Sequence, residues 1–252
     1  MIISILNEKG GVGKTTTAIN LGKALSLLNK KVLLVDNDPQ SHLTAGLGIS
    51  NPEKTIYNCY KNDEPLPIHQ IAENFYTVPC EPNLRSIELE VESDVERNYK
   101  MKLMLEPVKK DFDFIIIDCP PTTGVYAQNA IIASDTYMVV TQTAAWSVNG
   151  VDIAISLIEY KIKRILNPNI ELLGILVTKV RKRTVVGEYG LKRLEEDYGE
   201  RLFKTKISHT IKFEESEDFG EDIFTHAPDS KAAEEYSLLA KEILEKNVKN
   251  KR

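Results

Sequence analysis

The chain has 252 residues, of which 42% are hydrophobic and 27% are charged, and its formal net charge at pH 7 is −5. This composition is typical of a globular protein, and it excludes a low-complexity chain as well as a bulk polycation that coats nucleic acid. Its apolar runs are all shorter than the ~18 residues of a membrane span, and Cys59, Cys80 and Cys119 lack the CxxC spacing of structural zinc. We therefore expect a cytoplasmic protein that folds without disulfides or structural metal.

Short apolar runs alternate along the chain with segments of helical period. We predict strands over residues 2–6, 31–36, 75–78, 112–118, 137–141 and 172–178. We predict helices over residues 14–28, along the apolar stripe from Val151 to Ile165, and along the stripe from Ala233 to Leu244. Pro65 and Pro67 predict a surface loop. This alternation predicts an α/β fold, with one domain over residues 1–252 and a mostly parallel, twisted sheet that carries helices on both faces. Since the first strand begins at residue 2, we expect no helix-turn-helix module before it.

A glycine-rich loop joins the first strand to the first helix. It reads Glu8-Lys9-Gly10-Gly11-Val12-Gly13-Lys14-Thr15-Thr16. In such a loop the backbone N–H groups turn toward an anion, and the helix N-terminus adds its dipole. We expect Lys14 to reach the β- and γ-phosphates of a nucleotide and the Thr15 hydroxyl to ligate Mg²⁺. The sequence therefore predicts a phosphate-binding site.

Two acidic stretches follow predicted strands. The first is Asp36-Asn37-Asp38-Pro39-Gln40, in which two carboxylates two residues apart on an extended chain point the same way. The second is Phe114-Ile115-Ile116-Ile117-Asp118, an apolar strand that ends in a carboxylate, as in a Walker B site. Both stretches suit the Mg²⁺ and water of a phosphoryl-transfer site.

The glycine loop departs from the G-x-x-x-x-G-K-[ST] pattern, because Glu8 stands at the first glycine position and Lys9 adds a second lysine. Lys-Gly-Gly-Val-Gly-Lys-Thr-Thr resembles the deviant Walker A motif of the ParA/MinD ATPases. The Asp36-to-Gln40 stretch and the run Asp118-Cys119-Pro120-Pro121 resemble that family's next two motifs. The resemblance covers nearly the whole chain and implies a ParA/Soj-like plasmid or chromosome partition ATPase with the deviant P-loop fold.

The resemblance implies roles for particular residues. Lys9, Lys14 and Asp38 are the implied catalytic residues: Lys9 reaches across a sandwich dimer to the partner's nucleotide, and Asp38 orients the attacking water. The implied Mg²⁺ residues are Thr15, Asp36 and Asp118. The implied ATP contacts are the loop residues Lys9, Gly10, Gly11, Val12, Gly13, Lys14, Thr15 and Thr16, together with Ser208 and Thr210, which stand in the family's adenine-binding segment. Thr122-Thr123-Gly124 resembles the nucleotide-responsive switch, and Asn37 stands where the family often has an apolar residue.

A basic segment bears on the partner of this ATPase. Residues 179–193 hold six basic residues against the single acid Glu188, and such a patch binds phosphates without sequence preference. The segment resembles the family's DNA-binding stretch, so Arg181, Lys182 and Arg183 are the implied DNA contacts. Residues 214–222 hold six acids and no base, which would restrict DNA to one surface.

Three readings share the ATPase core. The ParA-like reading implies a nucleoid-associated protein whose partners are a second copy of itself, nonspecific double-stranded DNA and a ParB-like centromere-binding protein. The MinD-like reading requires an amphipathic, membrane-binding C-terminal helix, whereas residues 245–252 contain one apolar residue, Val248. The third reading is a metabolic enzyme similar to dethiobiotin synthetase or the nitrogenase iron protein. We favour the ParA-like reading and expect no membrane partner.

Overall fold

Seven strands form one sheet in the part of the chain that the computed structural model describes, which comprises residues 1–90, 96–143, 145–181 and 185–250. The strands are β1 (Ile2–Leu6), β2 (Val32–Asp36), β3 (His69–Ala72), β4 (Phe75–Val78), β5 (Phe114–Asp118), β6 (Thr136–Gln142) and β7 (Glu171–Thr178). Their order is β3-β4-β2-β5-β1-β6-β7. All neighbours are parallel except β3, which runs antiparallel to β4 at the edge of the sheet.

Helices connect the strands and cover both faces of the sheet. They are α1 (Lys14–Leu27), α2 (His42–Gly46), α3 (Ile56–Asn62), α4 (Leu84–Glu90), α5 (Lys100–Leu105), α6 (Val125–Ala133), α7 (Ala145–Leu157), α8 (Lys163–Ile165), α9 (Val185–Tyr198), α10 (Lys212–Asp218), α11 (Ile223–His226) and α12 (Lys231–Asn250). None of these described helices combines the length and the apolar character needed to cross a bilayer.

The core lies in two layers, one on each face of the sheet. On one face, α1 and α12 pack against the strands through residues such as Leu21 and Leu239. On the other face, α5, α6 and α7 contribute residues such as Met101, Ile131 and Val151. Strands covered on both sides are apolar throughout, as the fully buried strands β1, β2 and β5 are. The predicted α/β fold with a mostly parallel sheet is therefore confirmed.

Two local features differ from the sequence-based expectation. The sequence does not predict strand β3, because its half-buried or exposed residues carry no apolar alternation. This strand pairs with β4 through a turn at Asn74, where φ is 57°. The predicted apolar stripe from Val151 to Ile165 passes through a π-helical segment, Ile158–Ile162, between α7 and α8. The wider π turn rotates the following residues, which leaves Ile165 79% exposed. The prediction that Ile165 belongs to the buried face is wrong.

The carboxyl ends of the central parallel strands meet at one edge of the sheet. Asp36 at the end of β2 lies directly opposite Asp118 at the end of β5, and Ile5 of β1 is the other neighbour of Asp118. Open α/β sheets bind ligands at this edge, where the strand order reverses. The fold thus brings the predicted loop and both acidic stretches to one place.

Candidate functional site

The loop between β1 and α1 is built around two glycines in left-handed conformation. Gly11 has φ of 72° and Gly13 has φ of 91°, and Gly13 is the N-cap residue of α1. A residue with a Cβ is strained at such angles, which explains the glycines of the motif. The loop therefore ends directly at the N-terminus of a 14-residue helix, a position that favours the binding of anions.

Side chains from neighbouring strands hold this loop in place. Asn7 donates to a carbonyl of β6 at 2.7 Å and accepts from a loop N–H at 2.8 Å. Gln142, at the end of β6, donates to the carbonyl of Gly11 at 2.9 Å, and Thr178, at the end of β7, donates to that of Val12 at 2.6 Å. Sequence reasoning missed these three residues, although each is a polar residue at or just after the carboxyl end of an apolar strand. They stabilise the loop before any ligand arrives.

Lys14 lies inside the loop. Its side chain is buried, and its Nζ donates to the carbonyl of Asn7 at 3.1 Å and to that of Lys9 at 3.4 Å. Burial lowers the pKa of Lys14, while the charge of nearby Asp118 opposes this effect. The ammonium group is thus positioned at the centre of the anion-binding loop. Lys9 is half-buried on the same loop.

The half-buried Thr15 and the buried Asp118 form a pair beside the loop. The Thr15 hydroxyl donates to Oδ2 of Asp118 at 2.7 Å, and Oδ1 of Asp118 is buried without a hydrogen-bond partner among the described residues. Burial, with a smaller contribution from the charge of Asp36, raises the pKa of Asp118 to about 8. A buried carboxylate oxygen without a partner is unfavourable, so this pair suits a site that a cation completes.

Asp36 and Asp38 lie in different surroundings. One oxygen of Asp36 accepts from the backbone N–H (2.8 Å) and the hydroxyl (2.6 Å) of Thr44, and the other accepts from the N–H of Asp38 at 3.3 Å. Burial raises the pKa of Asp36 to about 6, although the bonds to Thr44 oppose the rise. Asp38 lines the cavity beside the loop, whereas Asp36 does not. The structure therefore places Asp36 behind Asp38, where it anchors the start of α2.

These oxygen donors fit Mg²⁺ in a triphosphate site. The described residues contain no cluster of three or more His, Cys, Asp or Glu side chains that could hold a metal ion alone. Mg²⁺ usually takes only one or two protein ligands and completes its shell with phosphates and water. Thr15 and the unpartnered oxygen of Asp118 provide such a set.

Two adjoining cavities lie along the loop and α1. The loop cavity is lined by Gly10, Lys14, Thr15 and Asp38 among others. The flanking cavity is lined by the apolar side chains of Ile207, Phe213 and Tyr236 and by the polar residues His209 and Thr210. Gly13, Thr16, Lys179 and Glu217 line both. A cavity at a phosphate loop that continues into one lined by aromatic side chains matches the two ends of a nucleotide.

The two residues predicted to contact adenine are separated in the structure. Thr210 lines the flanking cavity. The Ser208 hydroxyl instead donates to Glu235 at 2.6 Å and accepts from Lys231 at 2.6 Å, and the Ser208 N–H donates to Glu235 at 2.7 Å. Ser208 does not line the flanking cavity. Sequence reasoning assigned no ligand role to Phe213, and it assigned Tyr236 only to the apolar stripe of the last predicted helix.

Asn37 connects the first acidic stretch to α6. Its buried amide donates to the carbonyl of Tyr126 at 2.9 Å and accepts from the Tyr60 hydroxyl at 3.1 Å. The rings of Tyr60 and Tyr126 meet edge to face at 5.6 Å. The polar side chain of Asn37 is therefore satisfied in the core, and it joins the Asp36–Asp38 stretch to the helix that follows residues 122–124.

A close contact of two glycines joins the loops that follow α2 and α10. Gly48 and Gly220 have φ of 69° and 67°. A Cβ added to Gly220 would lie 2.6 Å from the Cα of Gly48. The two loops therefore touch backbone to backbone.

The predicted DNA-binding residues lie largely outside the described residues. Arg181 is exposed, and Lys182 and Arg183 are not among the described residues. Farther along the basic segment, Lys192 pairs with Glu196 at 3.8 Å and Arg193 with Asp197 at 3.5 Å on the surface of α9. The assignment of Arg181, Lys182 and Arg183 to DNA stays a prediction.

Known proteins are similar to this chain over nearly all of its length. A family model described as an AAA domain (AAA_31) matches residues 1–172. The sporulation initiation inhibitor protein Soj of Bacillus subtilis is 35% identical over 247 residues, which cover 96% of this chain and 97% of that protein. The chromosome partitioning protein ParA of Myxococcus xanthus is 33% identical, covering 98% of this chain and 89% of that protein.

A solved structure gives the same fold with nucleotide bound. The structure of cobyrinic acid a,c-diamide synthase from Mycobacterium smegmatis with an ATP analogue and magnesium superposes with a TM-score of 0.85 at 29% identity, covering 96% of this chain and 93% of that one. This similar structure therefore carries an ATP analogue and magnesium on the same fold.

Proposed function

As a member of the ParA/Soj family, this chain is an ATPase that uses ATP and Mg²⁺, and we propose that it acts in DNA partition as an ATP-dependent dimerisation switch. In this proposal ATP closes a sandwich dimer, the dimer binds nonspecific double-stranded DNA, and a ParB-like centromere-binding protein stimulates hydrolysis and release. The observation that carries the proposal is the near full-length similarity to Soj and ParA proteins, combined with a loop that holds two lysines, Lys9 and Lys14.

Each residue of the site has a distinct role in this proposal. Lys14 and the N–H groups of the loop bind the β- and γ-phosphates, and Thr15 and Asp118 hold Mg²⁺. Bound Mg²⁺ neutralises the charge that develops on the phosphates. Asp38, which lines the loop cavity, orients water for in-line attack. Lys9 contacts the nucleotide of the partner subunit and so contributes to dimer closure.

DNA is a better-supported partner than a membrane. The apolar face of α12 is already buried against the core through Tyr236, Leu239 and Ile243. A surface helix that binds lipid needs an exposed apolar face, and the described part of α12 has no such face. The basic segment that includes Arg181, by contrast, suits contacts to phosphates. We accordingly propose a nucleoid-associated protein.

The dimer switch is tested by a pair of variants. Lys9→Ala should bind ATP yet remain monomeric, because it lacks the charge that crosses to the other subunit. Asp38→Ala should form an ATP dimer that persists, because its defect lies after closure. Light scattering with size exclusion in Mg²⁺–ATP measures the oligomer, and phosphate release measures turnover. A Lys9→Ala protein that dimerises and hydrolyses ATP like the wild type would contradict the proposed switch.

DNA binding is tested by a charge-matched pair of triple variants. Replacing Arg181, Lys182 and Arg183 with alanine should weaken binding of nonspecific duplex by the ATP-bound protein. A plot of the logarithm of the DNA association constant against the logarithm of the salt concentration should also become less steep. Its slope should change by roughly 0.9 for each DNA phosphate that the protein no longer neutralises. The control replaces Lys102, Lys109 and Lys110, which border a separate cavity near the start of β1. Equal effects of the two triple variants would show that the first set acts only through net charge.

A further inference from the structure

Glu217 occupies the junction of the two cavities. It is exposed on α10, and it lines both the loop cavity and the flanking cavity. The neighbouring acidic residues differ in this respect: Glu214 lines only the flanking cavity, and Asp218 lines only the loop cavity. A nucleotide with its phosphates in one cavity and its base in the other must place its sugar at this junction.

The Glu217 carboxylate is oriented by α1. Its Oε1 accepts from the Thr16 hydroxyl at 2.6 Å, and within the described part of the chain this is its hydrogen-bond partner. An ionised carboxylate has two oxygens that accept several hydrogen bonds. The bond from Thr16 therefore fixes one oxygen and leaves the other with capacity to accept.

A carboxylate at this place has an electrostatic cost. Glu217 shares the lining of the loop cavity with Lys14 and Thr15, so its negative charge repels that of a triphosphate bound there. A hydrogen-bond donor between the phosphates and the base would offset this repulsion. The ribose 2′- and 3′-hydroxyls are the donors that a ribonucleotide places there.

We propose that Glu217 accepts a hydrogen bond from a ribose hydroxyl and thereby makes the site selective for ribonucleotides over deoxyribonucleotides. This inference rests on nucleotide binding at the phosphate loop. A site arranged to pair with a hydroxyl discriminates against an analogue that lacks it, since its own polar group is then left unpaired. Glu217 is exposed in the free protein, so solvent weakens the effect, and we expect about a tenfold preference.

The test compares three nucleotides on four proteins. Calorimetry gives the dissociation constants of ATP, 2′-deoxyATP and 3′-deoxyATP for the wild type, Glu217→Ala, Glu217→Gln and the matched control Glu215→Gln, an exposed residue of α10 that lines neither cavity. The wild type and Glu215→Gln should prefer ATP by about tenfold over at least one deoxy analogue. Glu217→Ala should bind all three equally, and Glu217→Gln, which keeps an acceptor oxygen, should retain part of the preference.

The outcomes separate this inference from the proposed function. Equal affinities of the wild type for the three nucleotides would overturn the inference alone, and this comparison needs no variant. A Glu217→Ala protein that keeps the full preference would also overturn it, because the carboxylate would then act only on Thr16. Failure of the wild type to bind any of the three nucleotides would overturn the nucleotide site and the inference together.

Discussion

Replacing Asp118 with asparagine should stabilise the free protein while it abolishes Mg²⁺-dependent turnover. Burial and the charge of Asp36 raise the pKa of Asp118 from 3.8 to about 8. Between these two values the folded chain binds a proton that the unfolded chain releases, so the free energy of unfolding falls as the pH rises. Asparagine cannot ionise, yet its oxygen can still accept from Thr15.

The size of this effect follows from the pKa. Each pH unit within the window from 3.8 to about 8 costs the wild type about 1.4 kcal/mol. At pH 7 the cost is thus at most about 4 kcal/mol, a large fraction of the 5–15 kcal/mol typical of a domain. The difference in unfolding free energy between Asp118→Asn and the wild type should increase from pH 5 to pH 8 and level off above.

The assay is urea unfolding of the nucleotide-free proteins in chelator at pH 5, 6, 7, 8 and 9, monitored by circular dichroism. Asp36 is present in both proteins, so its own titration cancels to first approximation. The control is Asp111→Asn, which replaces an exposed carboxyl group before β5. The unfolding free energy of this variant should follow that of the wild type at every pH. Parallel pH profiles for Asp118→Asn and the wild type would refute the reasoning, because Asp118 would then be ionised in the free protein.

Three further outcomes are expected. Lys14→Ala should lose ATP binding by calorimetry, since Lys14 supplies the buried cation of the loop; unchanged affinity would contradict the phosphate-loop assignment. Tyr60→Phe should lower the free energy of unfolding by about 1–2 kcal/mol, because it leaves the buried Asn37 oxygen without its donor; adding Asn37→Leu should recover part of this loss in urea unfolding. Ser208→Ala should leave the ATP dissociation constant unchanged, whereas Thr210→Ala should raise it; the reverse pattern would restore Ser208 as the adenine contact.

The part of the site that the sequence predicts best is continuous in the chain. The strand, the glycines and Lys14 lie within thirteen residues, so local spacing alone defines the loop. Asp36 and Asp118 are distant in sequence, but both end apolar strands, and parallel strands place their carboxyl ends at one edge. A pattern of strands therefore predicts this part of the site as well.

The part that the sequence does not predict depends on how distant segments pack. Thr178 and Gln142 support the loop from strands that are far away in the chain, and their residue types alone give no sign of this. Ser208 and Thr210 are two residues apart, a spacing that places both on one side of an extended chain. Ser208 pairs as an extended residue with Val180, but the chain turns before α10, and so only Thr210 reaches the flanking cavity.

The contact between Gly48 and Gly220 has a mechanical consequence for this ATPase. The segment before Gly48 contains Thr44, which binds Asp36, and the segment before Gly220 contains Glu217. Because the two backbones touch, neither loop can move toward the other, and a side chain at either position would force them apart. The acidic stretch and the α10 segment are thus braced against each other, so that a shift of α10 toward α2 would press on the segment that holds Asp36.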